Sequence, residues 1–233
     1  MSARQETAGY ILHGRRKGRP LRVGKTALMQ TLLPRIKINL QDDLNLSKLF
    51  GNANDVWLEV GFGGGEHLAW QAKEDPSIGM IGCEAYVNGV ASMLEHIDKN
   101  AATNIRIFDD DARMVIDALP DASIGRCFVL FPDPWPKKRH ASRRFIGPDN
   151  LPKLARILKS GAELRAASDD PTLQEWMLEH LRASTDFIPA PDTENGLRKT
   201  RLPDWPATRY EIKELAKKRP NWKGPEYYVF IRK

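Results

Sequence analysis

The chain has 233 residues, 41% hydrophobic and 28% charged, which excludes a mainly disordered, collagen-like or disulfide-stapled protein. No apolar run approaches the ~18 residues that a membrane-spanning helix needs, and residues 1–9 are polar, with no signal-peptide core. The net charge of +6 is unevenly spread: residues 1–25 hold seven basic residues and one acidic, and the remainder carries 29 of each sign.

In chain order, residues 1–35 read as a basic arm containing Gly9, Gly14, Gly18, Pro20 and Gly24. Such a segment is expected to be mobile on its own, and is either a solubilising tail or a phosphate-seeking arm. Residues 36–233 read as one domain. From Asp55 onward, short apolar runs alternate with helical patterns. Residues 56–60 predict a strand, 61–65 a glycine loop, and a helix begins near Glu66. Residues 78–83 predict a second strand, followed by a helix over 86–99 with Val87, Val90, Ala91 and Leu94 on one face. A third strand over 105–108 leads to a short helix over 112–119. The fourth strand, 124–131, ends in Pro132-Asp133-Pro134-Trp135-Pro136. A helix over 148–158 closes at Gly161, a fifth strand follows over 162–167, and another helix spans 173–181. The span 188–206, with four prolines, reads as an active-site loop or insert rather than core, and 227–231 alternates like an edge strand. This order predicts an α/β fold with a mostly parallel sheet covered by helices on both faces. Cys83 and Cys127 fall inside strand-like runs and read as core residues, as expected in a reducing cytoplasm.

Ligands of open α/β sheets collect at the carboxyl ends of the strands, where this sequence places acids. Glu59 precedes Gly61-Phe62-Gly63-Gly64-Gly65. Glycines there permit a tight turn and close approach of a nucleotide or nucleoside. A carboxylate beside the loop repels a pyrophosphate and suits a cationic ligand, which favours S-adenosylmethionine over a dinucleotide. The alternative is a structural turn with a surface Glu59. Glu84 lies nineteen positions after Gly65, the spacing of an acid that accepts ribose hydroxyls, or is a helix N-cap. Of Asp109, Asp110 and Asp111, the last, with the Ala112 backbone, is a candidate for adenine; any of the three could instead start the short helix. Asp133 stands between prolines that fix the backbone and remove donors, and Trp135 offers a face for a base. Lys137, Lys138, Arg139, His140, Arg143 and Arg144 follow without an acid, a phosphate grip or a solvated charge run. Asp169, ending the fifth strand, and Thr208-Arg209-Tyr210-Glu211 are further candidates; Asp170 could simply cap the next helix.

Together these residues resemble the bacterial tRNA (guanine-N7-)-methyltransferase family, from about Arg15 to the C-terminus. The motifs that carry the resemblance are Phe131-Pro132-Asp133-Pro134-Trp135 with Lys137, Arg139-His140 and Arg143-Arg144, then Glu59-Val60-Gly61-Phe62-Gly63, the arm Gly14-Arg15-Arg16 with Gly18-Arg19, and Thr208-Arg209-Tyr210-Glu211. The resemblance implies a Rossmann-like class I S-adenosylmethionine-dependent methyltransferase, doubly wound, with an antiparallel C-terminal strand. It also implies N7-methylation of guanine 46 in the tRNA variable loop. By motif, Glu59, Gly61, Gly63, Gly65, Glu84, Asp111, Ala112 and Asp133 would line the cofactor site, with Asp133 catalytic. Lys137, Asp169, Thr208, Arg209, Tyr210 and Glu211 would hold substrate, and Arg139, His140, Arg143 and Arg144 would face RNA. No metal, membrane or obligate protein partner is expected. The tetrad has Arg209-Tyr210 where the family often has Lys-Phe, and Asp170 stands where an aromatic is often found. Two alternatives are an amino-directed nucleic-acid methyltransferase and a non-catalytic RNA-binding module on the same fold.

Overall fold

The computed structural model describes residues 6–7, 9–40, 44–51, 53–212, 222 and 224–233, in two compact units, 1–120 and 121–233. In the first unit β1 (Glu6–Thr7) and β2 (Tyr10–Ile11) form a small antiparallel ladder. Three helices follow: α1 (Val23–Thr31), α2 (Leu33–Ile36) and α3 (Leu46–Phe50). The unit's sheet then alternates with helices: β3 (Asp55–Val60), α4 (Glu66–Glu74), β4 (Ile78–Cys83), α5 (Val87–Asn100), β5 (Ile105–Phe108) and α6 (Ala112–Ala118). β4 pairs in parallel with β3 on one side and β5 on the other. All six β4 residues are buried, as expected of a parallel strand covered on both faces.

α5 forms because Val90, Met93, Leu94 and Ile97 recur at helical spacing, and all four are buried. They pack with Leu68, Ala72, Met80, Ile105 and Ile107. Leu33 joins that core, with Leu28, Met29, Leu32 and Ile36 packed against it. Residues 23–36, which composition assigns to the basic arm, therefore include two helices seated on the first unit's core. Leu28, Met29, Leu32, Leu33 and Ile36 recur there at helical spacing, a short stripe that the glycines and basic residues of the arm as a whole outweigh in composition, and α1 itself has no fully buried residue.

The second unit contains β6 (Ile124–Leu130), a 3₁₀ turn (Lys138–Arg143), α7 (Leu151–Ile157), β7 (Leu158–Ser168), α8 (Pro171–Ala183), β8 (Phe187–Pro189), β9 (Leu197–Arg198), α9 (Arg209–Ile212) and β10 (Glu226–Arg232). β6 and β7 are parallel, and β10 runs antiparallel to β7, β8 and β9. Three expectations are corrected here. β10 is no edge strand, since β8 and β9 pair along its other side and Tyr227, Tyr228, Val229 and Phe230 are all buried. The proline-rich span supplies β8 and β9 and buries Trp205. Gly161, at φ 80°, does not close a helix: β7 already begins at Leu158, and its register against β6 shifts between Ile124 and Arg126, an irregularity that a left-handed glycine accommodates.

Candidate active site

In the first unit the chain leaves β3 through a loop whose Gly61, Gly63 and Gly65 have φ of 70°, 58° and 85°. Residues with a Cβ rarely adopt this region. A Cβ on Gly61 or Gly63 would meet nothing within 4 Å, so the loop backbone is open on that side. Gly89 is needed for the opposite reason: a Cβ there would lie 2.4 Å from the Gly63 carbonyl oxygen, so α5 presses against the loop. The Glu84 carboxylate ties the two together, Oε2 accepting from the Gly63 N–H and Oε1 from the Tyr86 N–H, both at 2.8 Å.

Glu59 is not a surface residue. It is 2% exposed, and its Oε2 lies 2.7 Å from Nδ1 of His67 on α4. His67 Nε2 in turn lies 3.3 Å from Nε2 of Gln71, one turn further on. Glu59, His67 and Gln71 are therefore a buried polar chain from the strand end into the helix. Neither His67 nor Gln71 stood out from the sequence. The available signal was polar residues at i and i+4 beside the apolar Leu68 and Ala72.

The three aspartates after β5 differ by partner. Asp109 pairs with Lys37 at 2.6 Å and Asp110 with Arg16 at 3.0 Å. Asp111 caps α6, accepting the Arg113 N–H at 3.0 Å and the Arg113 Nε–H at 2.9 Å. Ala112, the first residue of α6, is buried. The arm reaches this edge of the first unit: the Val87 N–H donates to Arg16 O, the Gly18 N–H to Asn88 Oδ1, and the Asn88 amide to Arg19 O, at 2.8–2.9 Å. Arg15, Lys17 and Arg19 remain exposed between those anchors.

In the second unit the turn after β6 holds Asp133. Phe131 and Trp135 have φ of 51° and 42°, a left-handed conformation that costs a bulky residue on the order of 1–3 kcal/mol. Among the described residues nothing hydrogen-bonds or ion-pairs with the Asp133 carboxylate, and partial desolvation pushes it above the ordinary carboxylate range. The Arg143 guanidinium lies over the Trp135 ring at 5.0 Å, and His140 meets that ring edge-on at 5.9 Å. Desolvation, then the charges of Arg143, Arg139 and Lys137, hold His140 below the usual histidine value. Lys137 and Arg139 are exposed. Arg144 departs from the expectation of an RNA-facing residue. It is 6% exposed, and its guanidinium donates to the carbonyls of Pro134 and Trp135. The neighbouring Trp176 ring draws it inward.

Asp169 is buried at the end of β7, and Asp170 caps α8 by accepting the Leu173 N–H. Thr208 and Glu211 form a capping box: the Thr208 N–H donates to Glu211 Oε2 at 2.8 Å and the Glu211 N–H to Thr208 Oγ1 at 3.3 Å. Tyr227 of β10 donates its hydroxyl to Glu211 Oε1 at 2.6 Å, and burial, then this bond and the Glu211 charge, pushes the phenol well up. The backbone of Arg209 and Tyr210 lies in α9, but their side chains are outside what the structure describes.

Parallel strands interleaved with helices, a glycine loop after β3, an acid ending β4 and an antiparallel C-terminal strand define a class I S-adenosylmethionine-dependent methyltransferase fold. Solved structures of similar fold include the 16S rRNA methyltransferase KamB, at TM-score 0.60 and 17% identity over 82% of this chain and 94% of that one. Another is an rRNA methylase from Streptococcus thermophilus, at 0.53 and 11% over 80% and 91%. A methyltransferase family model matches residues 53–224. The tRNA (guanine-N(7)-)-methyltransferase of Paramagnetospirillum magneticum is 49% identical over 94% of this chain and 92% of its own length, and that of Rhodospirillum rubrum 44% over 95% and 87%. The chain belongs to the tRNA (guanine-N7-)-methyltransferase family.

Proposed function

We propose that this protein methylates N7 of guanine 46 in the variable loop of tRNA, using S-adenosylmethionine, in the cytoplasm. The observation that carries this reading is an Asp133 carboxylate with no partner among the described residues, on a strained turn, in a chain of this family. The family match runs from residue 53 to 224, which supports reading 36–233 as one methyltransferase domain. The residues fit the cofactor: the glycine loop is open beside Gly61 and Gly63, and the Glu84 carboxylate stands bonded to that loop at Gly63, as the candidate for the ribose. Asp111 and Ala112 are the adenine candidates, and Glu59, paired with His67, is the cofactor-site candidate at the end of β3.

When bound, S-adenosylmethionine supplies an electrophilic methyl group on a sulfonium. Guanine N7 has a lone pair and no proton, so the protein need not supply a general base. Its task is alignment for an in-line displacement and stabilisation of the positive charge that builds on the guanine imidazole ring. Asp133 provides the negative charge, and Trp135 a face on which the base can stack. Arg139, His140 and Arg143 are assigned to tRNA phosphates, and Lys137, Asp169, Thr208, Arg209, Tyr210 and Glu211 to substrate. Among these, Thr208 and Glu211 act through the capping box that shapes their loop.

The test is incubation with radiolabelled cofactor and unmodified bulk tRNA, followed by nucleoside analysis. N7-methylguanosine is expected. Label on an exocyclic amine, or no transfer despite cofactor binding, overturns the reading. A tRNA with 7-deazaguanine at the target should bind and accept no methyl group.

A further inference from the structure

Neighbouring arginines on the Asp133 turn have different surroundings. Arg143 is partly exposed and lies over the Trp135 ring. Arg144 is buried, its Nε–H donating to Pro134 O at 3.2 Å and its Nη2–H to Trp135 O at 3.1 Å. Its guanidinium lies 4.7 Å from the centre of the Trp176 ring. That ring is itself fixed, its Nε1–H donating to Ile146 O at 2.7 Å and its other neighbour, His180, stacked at 3.8 Å.

The turn needs such a clamp for a chemical reason. Pro132, Pro134 and Pro136 have no N–H, so the turn can make few backbone hydrogen bonds of its own. Left-handed φ at Phe131 and Trp135 bracket Asp133, and such conformations persist only where the surroundings over-determine them. A planar guanidinium presents donors in a fixed fork to two carbonyls and a flat face to an indole at once; an ammonium is a compact charge with neither the fixed fork nor the flat face.

We propose that Arg144 is a positioning residue for methyl transfer, clamping the Pro134 and Trp135 carbonyls so that Asp133 and Trp135 are held in one orientation. This rests on the assignment of Asp133 to the reacting guanine.

The experiment compares Arg144→Lys, Arg144→Ala, Arg143→Ala, Asp133→Asn and the Arg144→Lys/Asp133→Asn double variant. Single-turnover methyl transfer, the salt dependence of tRNA binding and calorimetric cofactor affinity are measured for each. Arg144→Lys and Arg144→Ala should both lower the transfer rate by about tenfold to a hundredfold, the cost of misplacing a reacting group by about 1 Å. Their salt slopes and cofactor affinities should match the parent. Arg143→Ala should reduce the salt slope by about 0.7–0.9, as for one lost phosphate contact. Because Arg144 acts through Asp133, Arg144→Lys should cost far less in the Asp133→Asn background.

A parental rate in Arg144→Lys overturns the proposal. So does a salt slope lost in Arg144→Ala and restored by lysine, or a fully additive double variant, which would mark a general structural role. If Arg144→Ala does not fold, the lysine variant decides alone. A parental rate in Asp133→Asn would instead sink the assignment of Asp133, whatever Arg144 does.

Discussion

Partial desolvation raises Asp133 above the ordinary carboxylate value, and among the described residues no donor offsets it. A carboxylate raised on folding has a definite sign in stability: the unfolded chain ionises more readily, so stability falls as pH rises from the unfolded value through the raised folded one. Asp133→Asn is therefore expected to melt at the same temperature or slightly higher at neutral pH, as differential scanning calorimetry would show. The rate should move the other way. Losing one preorganised stabilising charge should cost about 10²–10³-fold, while cofactor affinity changes little. The parent should lose activity as pH falls through the raised value, and the asparagine variant should lack that acid limb. A variant both less stable and fully active would contradict the assignment. Glu84 is a contrasting case, since its oxygens already hold the Gly63 and Tyr86 amides. If Glu84 also accepts the ribose hydroxyls as proposed, Glu84→Ala should abolish measurable cofactor binding by calorimetry, because the loop tie is lost with it.

The capping box at the start of α9 joins a short element to the sheet, since Glu211 is shared by the Thr208 amide and the Tyr227 hydroxyl. Thr208→Ala removes one cap and should cost about 0.5–2 kcal/mol of local stability. Its expected signature is faster amide exchange in this segment and a raised KM for tRNA, with cofactor affinity unchanged. Equal weakening of cofactor binding would mean that the element has a different role. The 3₁₀ turn shows how a run of like charges is divided by structure: Lys137 and Arg139 face solvent, and Arg143 sits on an aromatic face. Only such exposed cations can release counterions from RNA.

For the molecule as a whole, one ionic and one hydrogen-bonded arrangement anchor long segments. In the second unit Asp204, from the proline-rich span, meets Arg165 of β7 at 2.9 Å and Arg126 of β6 at 3.4 Å. Burial alone would raise Asp204, but the hydrogen bond and charges of Arg165, and then Arg126, outweigh it and hold it below the ordinary range. Stability from a depressed carboxylate is present above the unfolded value and lost as pH falls through the folded one. Asp204→Asn should thus cost on the order of 1 kcal/mol at neutral pH, since the group is half exposed, and should flatten the acid limb of Tm against pH. In the first unit, the anchors at Arg16, Gly18 and Arg19 leave Arg15, Lys17 and Arg19 exposed. If this arm grips phosphate, tRNA should slow trypsin cleavage between residues 15 and 19 several-fold. Equal rates with and without tRNA would leave the arm a solubilising tail.

Local patterns determined much of this protein. The strands Ile78–Cys83 and Ile105–Phe108 coincide with their apolar runs, because period and length are written in adjacent residues. The glycine loop, the acid ending β4 and the proline-bracketed Asp133 were legible for the same reason: each is a short stretch whose backbone chemistry is self-contained. Tertiary structure decided what depends on residues far along the chain. Arg144 is indistinguishable from Arg143 in a basic run until Trp176 is packed beside it. Glu59 reads as a free anion until α4 brings His67 to it. Asp109, Asp110 and Asp111 separate only through Lys37, Arg16 and Arg113. β10 alternates like an edge strand, yet becomes internal because β8 and β9 pair along its second side. Burial and charge pairing are properties of assembled neighbours, and a local window of sequence contains only one member of each pair.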